Sequence, residues 1–216
     1  MRMLSADILI MDLDGTLVDS QLDIAQAVNE TLDHFGQPPL ELVAIKPYVG
    51  TGVRPLLELE IVQKMGRPLD ELVRVFMERY RANLLGHTYL YEGVKEALEH
   101  FRGKKKVVLT NKETTFVPPI IEGLGIHKHF LGLYGRSSFK THKPSPEPIL
   151  EICRIHGSSP ERALMIGDTI VDVGAGRAAG AQTCAFLFGY GKRDDLERAQ
   201  PDLILGSWSE LKDHVS

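Results

Sequence analysis

Apolar residues along this chain gather into short, nearly unbroken runs: Ile8–Met11, Val107–Leu109, Phe130–Tyr134, Ala163–Ile166, Cys184–Phe188 and Leu203–Leu205. Runs without polar alternation suit strands buried on both faces, as in a parallel sheet covered by helices. Helical spacing fills most of the gaps. Pro146–Ile155 follows Ser145, a good N-cap with proline at the first helical position. Asp172–Ala181 predicts a helix of small residues that packs closely on the sheet. Strand and helix in alternation predict an α/β fold.

Residues 21–88 break that rhythm. Ser20 and Asp23 suggest a capping box, followed by Leu22, Ala25, Val28, Leu32 and Phe35 at helical spacing and a stop at Gly36. Pro55 opens a second helical stretch ending near Gly66, and Leu72, Phe76, Tyr80 and Leu84 mark a third. No strand pattern occurs there. The expectation is an all-helical domain over 21–88, inserted after the first strand, with the core formed by 1–20 and 89–216 and the chain returning near Tyr91-Glu92-Gly93.

Composition narrows the partners. A chain of 216 residues with 43% hydrophobic and 25% charged residues is ordinary for a soluble globular protein. The formal net charge of −4 gives no electrostatic reason to expect nucleic acid or an anionic membrane. The basic cluster Arg102-Gly103-Lys104-Lys105-Lys106 is expected as a solvated turn at a helix C-terminus. No apolar stretch is long enough to span a membrane, and Asp7, Asp12 and Asp14 interrupt any signal-peptide core. Cys153 and Cys184 lack metal-ligand spacing and are expected as small buried apolar residues. A cytoplasmic protein, monomer or homodimer, is the expectation.

The chemistry lies where the apolar runs stop. Asp12 and Asp14 follow the first run, Thr110 and Asn111 follow Val107–Leu109, and Gly167-Asp168 follows Ala163–Ile166. In a parallel sheet these strand ends share one edge, where open α/β sheets bind ligands. Lys143, in "KTHKPSPEP", and Asp172, four residues beyond Asp168, can reach the same edge. Carboxylates about 4 Å apart repel by roughly 4 kcal/mol at an effective dielectric near 20. Packing alone would not keep that arrangement. A divalent cation and the Lys143 ammonium relieve it, and hard oxygen ligands favour magnesium. With a threonine hydroxyl, an asparagine amide and a lysine opposite, such a site can hold a phosphoryl group.

At these residues the chain resembles a family. "DLDGTLVDS", "LTNK", "HKPSPEP" and "GDTIVDVGAGRAAG" are similar, in order and spacing, to the motifs of the haloacid dehalogenase-like hydrolases, and most to their phosphoglycolate phosphatase-type branch. The likeness covers essentially the whole chain. Departures are Met11, Glu92 and Pro118-Pro119, the last interrupting the helix after "TNK". The resemblance implies a Rossmann-like core with a mostly parallel sheet, a helical cap, and a magnesium-dependent phosphatase acting on a small phosphorylated metabolite, 2-phosphoglycolate first. It implies Asp12 as nucleophile forming an aspartyl-phosphate, a carboxylate already ionised at neutral pH. Asp14 would protonate the leaving alcohol and then deprotonate water, with neighbouring carboxylates favouring its protonated form. Magnesium would be held by Asp12, the Asp14 carbonyl and Asp168. Asp172 would join through water, orient its neighbours, or pair instead with Lys143. Thr110, Asn111 and Lys143 would stabilise charge on the transferring oxygens.

Other features divide between function and plain structure. Gly174-Ala175-Gly176 imitates a dinucleotide fingerprint, yet its glycines fall inside a predicted helix and after two acids, so close helix–sheet packing is the expectation. His127 and His129 are expected on a surface turn. Gly50-Thr51-Gly52 with Arg54 is either a loop before a helix or a cap segment meeting a carboxylate or second phosphate. Lys112 is a weaker candidate for the same anion. A phosphomutase, a pyrophosphatase or nucleotidase, and a non-catalytic binding protein are the rival functions.

Overall fold

The computed structural model describes residues 3–57 and 66–216. Six strands correspond to the six apolar runs. They are β1 (Ile8–Met11), β4 (Lys105–Leu109), β5 (Gly132–Tyr134), β6 (Ala163–Gly167), β7 (Gln182–Phe186) and β8 (Leu203–Leu205). The intervening β2 (Val18–Asp19) and β3 (Tyr89–Leu90) form a separate antiparallel pair. The main sheet has the order β5-β4-β1-β6-β7-β8, and every pairing in it is parallel.

The apolar runs follow from burial on both faces. Ile8 and Ile10 point to one side, into a cluster with Val107, Leu109, Met165, Ile149 and Ala175. Leu9 and Met11 point to the other, among Leu98, Ile120, Phe186 and Trp208. Helices Glu147–Ile155 and Ile170–Ala178 cover the first face; Val94–His100, Val117–Gly123 and Trp208–Leu211 contribute to the second. The chain moves outward from β1 to β4 and β5, then crosses back to β6 on the other side of β1. That reversal opens a crevice at the carboxyl end of β1.

The small-residue helix begins two residues before its expected start, at Ile170. A Cβ on Gly176 would lie 2.6 Å from Thr183 Cγ2 and 3.0 Å from Met165 Cβ. The glycine therefore serves contact with β6 and β7. Helix Glu147–Ile155 starts one residue late, and the Ser145 hydroxyl accepts the Glu147 N–H at 3.3 Å. Pro118 and Pro119 do not interrupt a helix; they sit in the first turn of Val117–Gly123, where a missing N–H costs nothing. The basic cluster is less solvated than expected, because Lys106 is buried with its ammonium on the Phe101 carbonyl at 2.6 Å. His127 and His129 lie on an exposed short turn, and both cysteines are buried and free.

Between β2 and β3, the described residues form helices and no strand. They are α1 (Gln21–His34), α2 (Leu42–Ile45), α3 (Val53–Leu57) and α4 (Leu69–Ala82). Gly36, at φ +68°, turns the chain out of α1. The rest of the stretch opened by Pro55, residues 58–65, lies outside the described residues. Ser20 and Asp23 form no capping box. The Ser20 hydroxyl donates to Asp14 Oδ1 at 2.6 Å, while the buried Asp23 carboxylate accepts from the His87 N–H, the Thr88 N–H and the Thr88 hydroxyl. Asp23 thus ties the end of the helical segment to its beginning. No helix among the described residues is long and apolar enough to cross a membrane.

Candidate active site

The carboxyl end of β1 carries Asp12, whose N–H donates to the Ile166 carbonyl of β6 at 2.9 Å. Its Oδ1 accepts the Leu13 N–H at 2.8 Å and lies 2.9 Å from the Lys143 ammonium. Lys143 also donates to Asp172 Oδ1 at 2.5 Å, so one buried ammonium spans two carboxylates. Asp172 uses its second oxygen in a true capping box with Thr169 at the start of helix Ile170–Ala178. Expected to join the metal through water, to orient its neighbours, or to pair instead with Lys143, it is paired with Lys143 here.

Asp168, at the end of β6, is fully buried and held on two sides. The Thr16 hydroxyl donates to Oδ1 at 2.8 Å and the Tyr190 N–H to Oδ2 at 2.7 Å. Glycine is required around it: a Cβ on Gly15, which is at φ +82°, would sit 2.4 Å from Asp168 Oδ2. Carboxylate oxygens of Asp12, Asp168 and Asp172 lie within 4.8 Å of one another. Burial is the main force pushing Asp12 up to about 7, with Lys143 opposing it and Asp172 reinforcing it. Burial, then Asp172 and Asp12, push Asp168 up to about 8.

This donor set fits a divalent cation. The three carboxylates have one ammonium among them, on Asp12 and Asp172, so full ionisation leaves an excess of two negative charges, which one such ion balances. All the side-chain donors are hard oxygens, as magnesium prefers. The linkage has a definite sign. Both acids rise from the ordinary 3.8 to about 7 and about 8, so without a cation the folded state holds extra protons across that window, and stability falls as pH rises through it. A cation replaces those protons. The increase in Tm on adding magnesium is therefore expected to be larger near pH 8 than near pH 5, and to be largely lost in Asp168→Asn; differential scanning fluorimetry at the two pH values checks both.

Asp14 faces elsewhere. Its carboxylate takes the Ser20 hydroxyl and a two-pronged contact from Lys112, whose Nζ is 2.9 Å from Oδ1 and 3.1 Å from Oδ2. The expected crowd of carboxylates around Asp14 is not its nearest environment; a buried ammonium is. Lys112 is held above the usual lysine range: burial opposes this, but Asp14 and Tyr80 outweigh it. Its Nζ also lies 4.6 Å from the ring centroid of Tyr80, on α4.

Thr110 and Asn111 follow β4 as expected and are buried. Thr110 Oγ1 accepts the Lys112 N–H at 3.2 Å, and Asn111 Nδ2 donates to the Lys143 carbonyl at 3.0 Å, fixing the Lys143 loop. Gly52 is brought to the site at φ +102°, where a Cβ would meet the Arg136 guanidinium at 2.5 Å. Arg54 is not. It is exposed on α3 and paired with Asp70 at 2.5 Å, since the short helix turns Val53 and Leu56 inward and Arg54 out.

A cavity of about 40 Å³ lies in front of Asp14. Lys112 and Glu113 line it from the core, with Val49, Gly52, Val53, Phe76 and Tyr80 from the helical segment. The sequence reading missed Ser20, Thr16, Tyr190 and Tyr80. Tyr190 is the most connected of them: besides its N–H on Asp168, its hydroxyl accepts the Ser20 N–H at 2.9 Å and donates to Asp19 at 3.1 Å.

Comparison with known proteins agrees with this geometry. The family model described as haloacid dehalogenase-like hydrolase matches residues 9–186. A phosphoglycolate phosphatase of Chromobacterium violaceum is 37% identical over 209 residues, covering 94% of this chain and 93% of its own. A phosphoglycolate phosphatase of Psychrobacter arcticus is 34% identical over 218 residues, covering 96% of this chain and 95% of its own. The crystal structure of a predicted phosphoglycolate phosphatase from Haemophilus somnus 129pt superposes with a TM-score of 0.90 at 29% identity, covering 96% of this chain and 97% of that one. The strand order, the acids at the ends of β1 and β6, and these matches together place the chain among the haloacid dehalogenase-like hydrolases.

Proposed function

We propose that the chain is a magnesium-dependent phosphatase that hydrolyses a small phosphorylated metabolite through an aspartyl-phosphate on Asp12. The observation that carries this reading is Asp12 itself. Both of its close contacts fall on Oδ1, which leaves Oδ2 to attack phosphorus. Lys143 opposes the burial that favours the neutral form of the attacking group, and orders the site by holding Asp172 with the same ammonium. Asp12, Asp168 and Asp172 would hold the cation, with the Asp14 carbonyl as a further oxygen. Bound there, the ion supplies positive charge against the phosphoryl oxygens and keeps Asp12 ionised at neutral pH.

In the first step Asp12 Oδ2 forms a bond to phosphorus as the ester oxygen departs, and Asp14, which has to enter this step protonated in spite of its Lys112 contact, gives that oxygen its proton. In the second, Asp14 takes a proton from water as the water oxygen attacks the same phosphorus, freeing Asp12 and phosphate. Ser20 and Lys112 keep Asp14 at the mouth of the cavity where the leaving group sits. Thr110 and Asn111 complete the charge clamp with Lys143. The helical segment acts as a cap, and Gly52 lets its loop approach the core without a side chain.

The cavity has room for about three water-sized groups, so the leaving alcohol is small unless the cap opens further. The relatives' names and this size both favour 2-phosphoglycolate. A panel of 2-phosphoglycolate, sugar phosphates, nucleotides and pyrophosphate, each with and without magnesium, tests the reading. Free phosphate is expected in step with glycolate, only with magnesium. Isomerised sugar phosphate without phosphate release would instead make the chain a mutase, and no turnover of any phosphomonoester would end the phosphatase reading.

A further inference from the structure

The hydroxyl of Tyr80 is buried in the wall of the Asp14 cavity beside the Lys112 ammonium, and makes no hydrogen bond of ordinary geometry among the described residues. An orphaned buried hydroxyl carries a desolvation cost, so a fold that retains one has a reason outside its own packing. The ring does pack, stacked on Phe76 at 5.7 Å and edge-on to Phe116 at 5.0 Å, but phenylalanine would serve those contacts equally. Burial pushes the hydroxyl up to about 12, so it remains a donor at any physiological pH.

Beside it stands Lys112. Two of its three ammonium protons can be assigned to Asp14, which leaves one for another acceptor. Most of the remaining lining, from Ile24, Val49, Val53, Leu56, Phe76 and Phe116, offers apolar side chains; Glu113 is partly exposed and Tyr48 is exposed at the rim. An occupant in front of Asp14 thus meets two buried donors close together in largely apolar surroundings.

We propose that Tyr80 and Lys112 form a specificity-determining pair that reads the carboxylate of the leaving alcohol. This rests on the phosphatase reading above and assigns the specificity of its site to a residue of the cap. The two oxygens of one carboxylate can accept both donors while its carbon skeleton lies against the apolar wall.

The test is Tyr80→Phe, which removes one oxygen and keeps the ring. Its kcat/KM for 2-phosphoglycolate is expected to fall about 10-fold or more, at least five times further than for phenyl phosphate, whose leaving group has no such oxygen. Its Tm should be equal to or above that of the wild type, because an orphaned polar atom is gone. In the non-turning Asp12→Asn background, Tyr80→Phe should weaken 2-phosphoglycolate binding by a similar factor, a readout independent of turnover. Equal losses on both substrates, a lowered Tm, or unchanged 2-phosphoglycolate binding would overturn the proposal. Failure of the wild type to release phosphate from either ester would count against the phosphatase reading itself.

Discussion

Asp12→Asn is expected to lower kcat by about four orders of magnitude or more, because the attacking carboxylate oxygen is replaced by an amide nitrogen that cannot displace an alcohol from phosphorus. The fold should survive. Asn retains an acceptor for the Leu13 N–H, and the main-chain bond from residue 12 to Ile166 is untouched. Asp12 is a carboxyl group raised to about 7 by burial, so an uncharged isostere relieves part of the crowding. The metal-free variant should therefore melt no lower than the wild type near neutral pH, while its rise on adding magnesium shrinks. Steady-state phosphate release and a melting curve with and without magnesium separate the two effects. Full turnover in this variant would remove Asp12 as nucleophile.

Lys143→Met has the second large effect, and here stability falls as well. The ammonium is buried between Asp12 at 2.9 Å and Asp172 at 2.5 Å. Removing it leaves buried carboxylates without their counter-charge, a change that costs about 3–5 kcal/mol when one partner of a buried pair is deleted. For a chain of this size that lowers Tm by roughly 6–20 °C. Turnover should be nearly abolished, since Lys143 both orders Asp12 and offsets charge on the transferring group. Adding Asp172→Asn to Lys143→Met should recover much of the lost Tm, because the amide keeps an acceptor for the Thr169 cap while shedding a charge. Turnover should stay low. A double variant no more stable than Lys143→Met would mean that packing, not charge, sets the loss.

How much of this was readable from the chain can be traced residue by residue. The strands were legible because parallel strands covered on both faces leave continuous apolar runs, and each of the six runs overlaps a strand of the sheet. Asp12, Thr110, Asn111 and Asp168 were legible because each follows such a run, and parallel topology brings the ends of those strands to one edge. Lys143 and Asp172 needed the family's motif spacing as well. What stayed hidden was pairing over distance. Lys112 reaches Asp14 across 98 positions and Tyr190 reaches Ser20 across 170, and no local pattern records such partners. Tyr80 showed only as a core position at helical spacing, since periodicity reports a buried ring and not an unsatisfied hydroxyl on it. Ser20 and Asp23 imitated a capping box because their local spacing is right, yet both side chains are claimed by residues brought near by the fold. Arg54 misled for a similar reason: an arginine beside a glycine-rich loop suggests an anion site, but the turn of α3 sends it to Asp70.

The covalent step is the centre of the account, and direct labelling of Asp12 addresses it. Wild-type protein turning over 2-phosphoglycolate with magnesium would be quenched in acid, digested, and its peptides read by mass spectrometry. The account predicts one added phosphoryl group on the peptide carrying Asp12, lost on mild alkaline treatment and absent without magnesium. Vigorous phosphate release with Asp12 unlabelled at every quench time, or with the phosphoryl group found on another side chain, would contradict it.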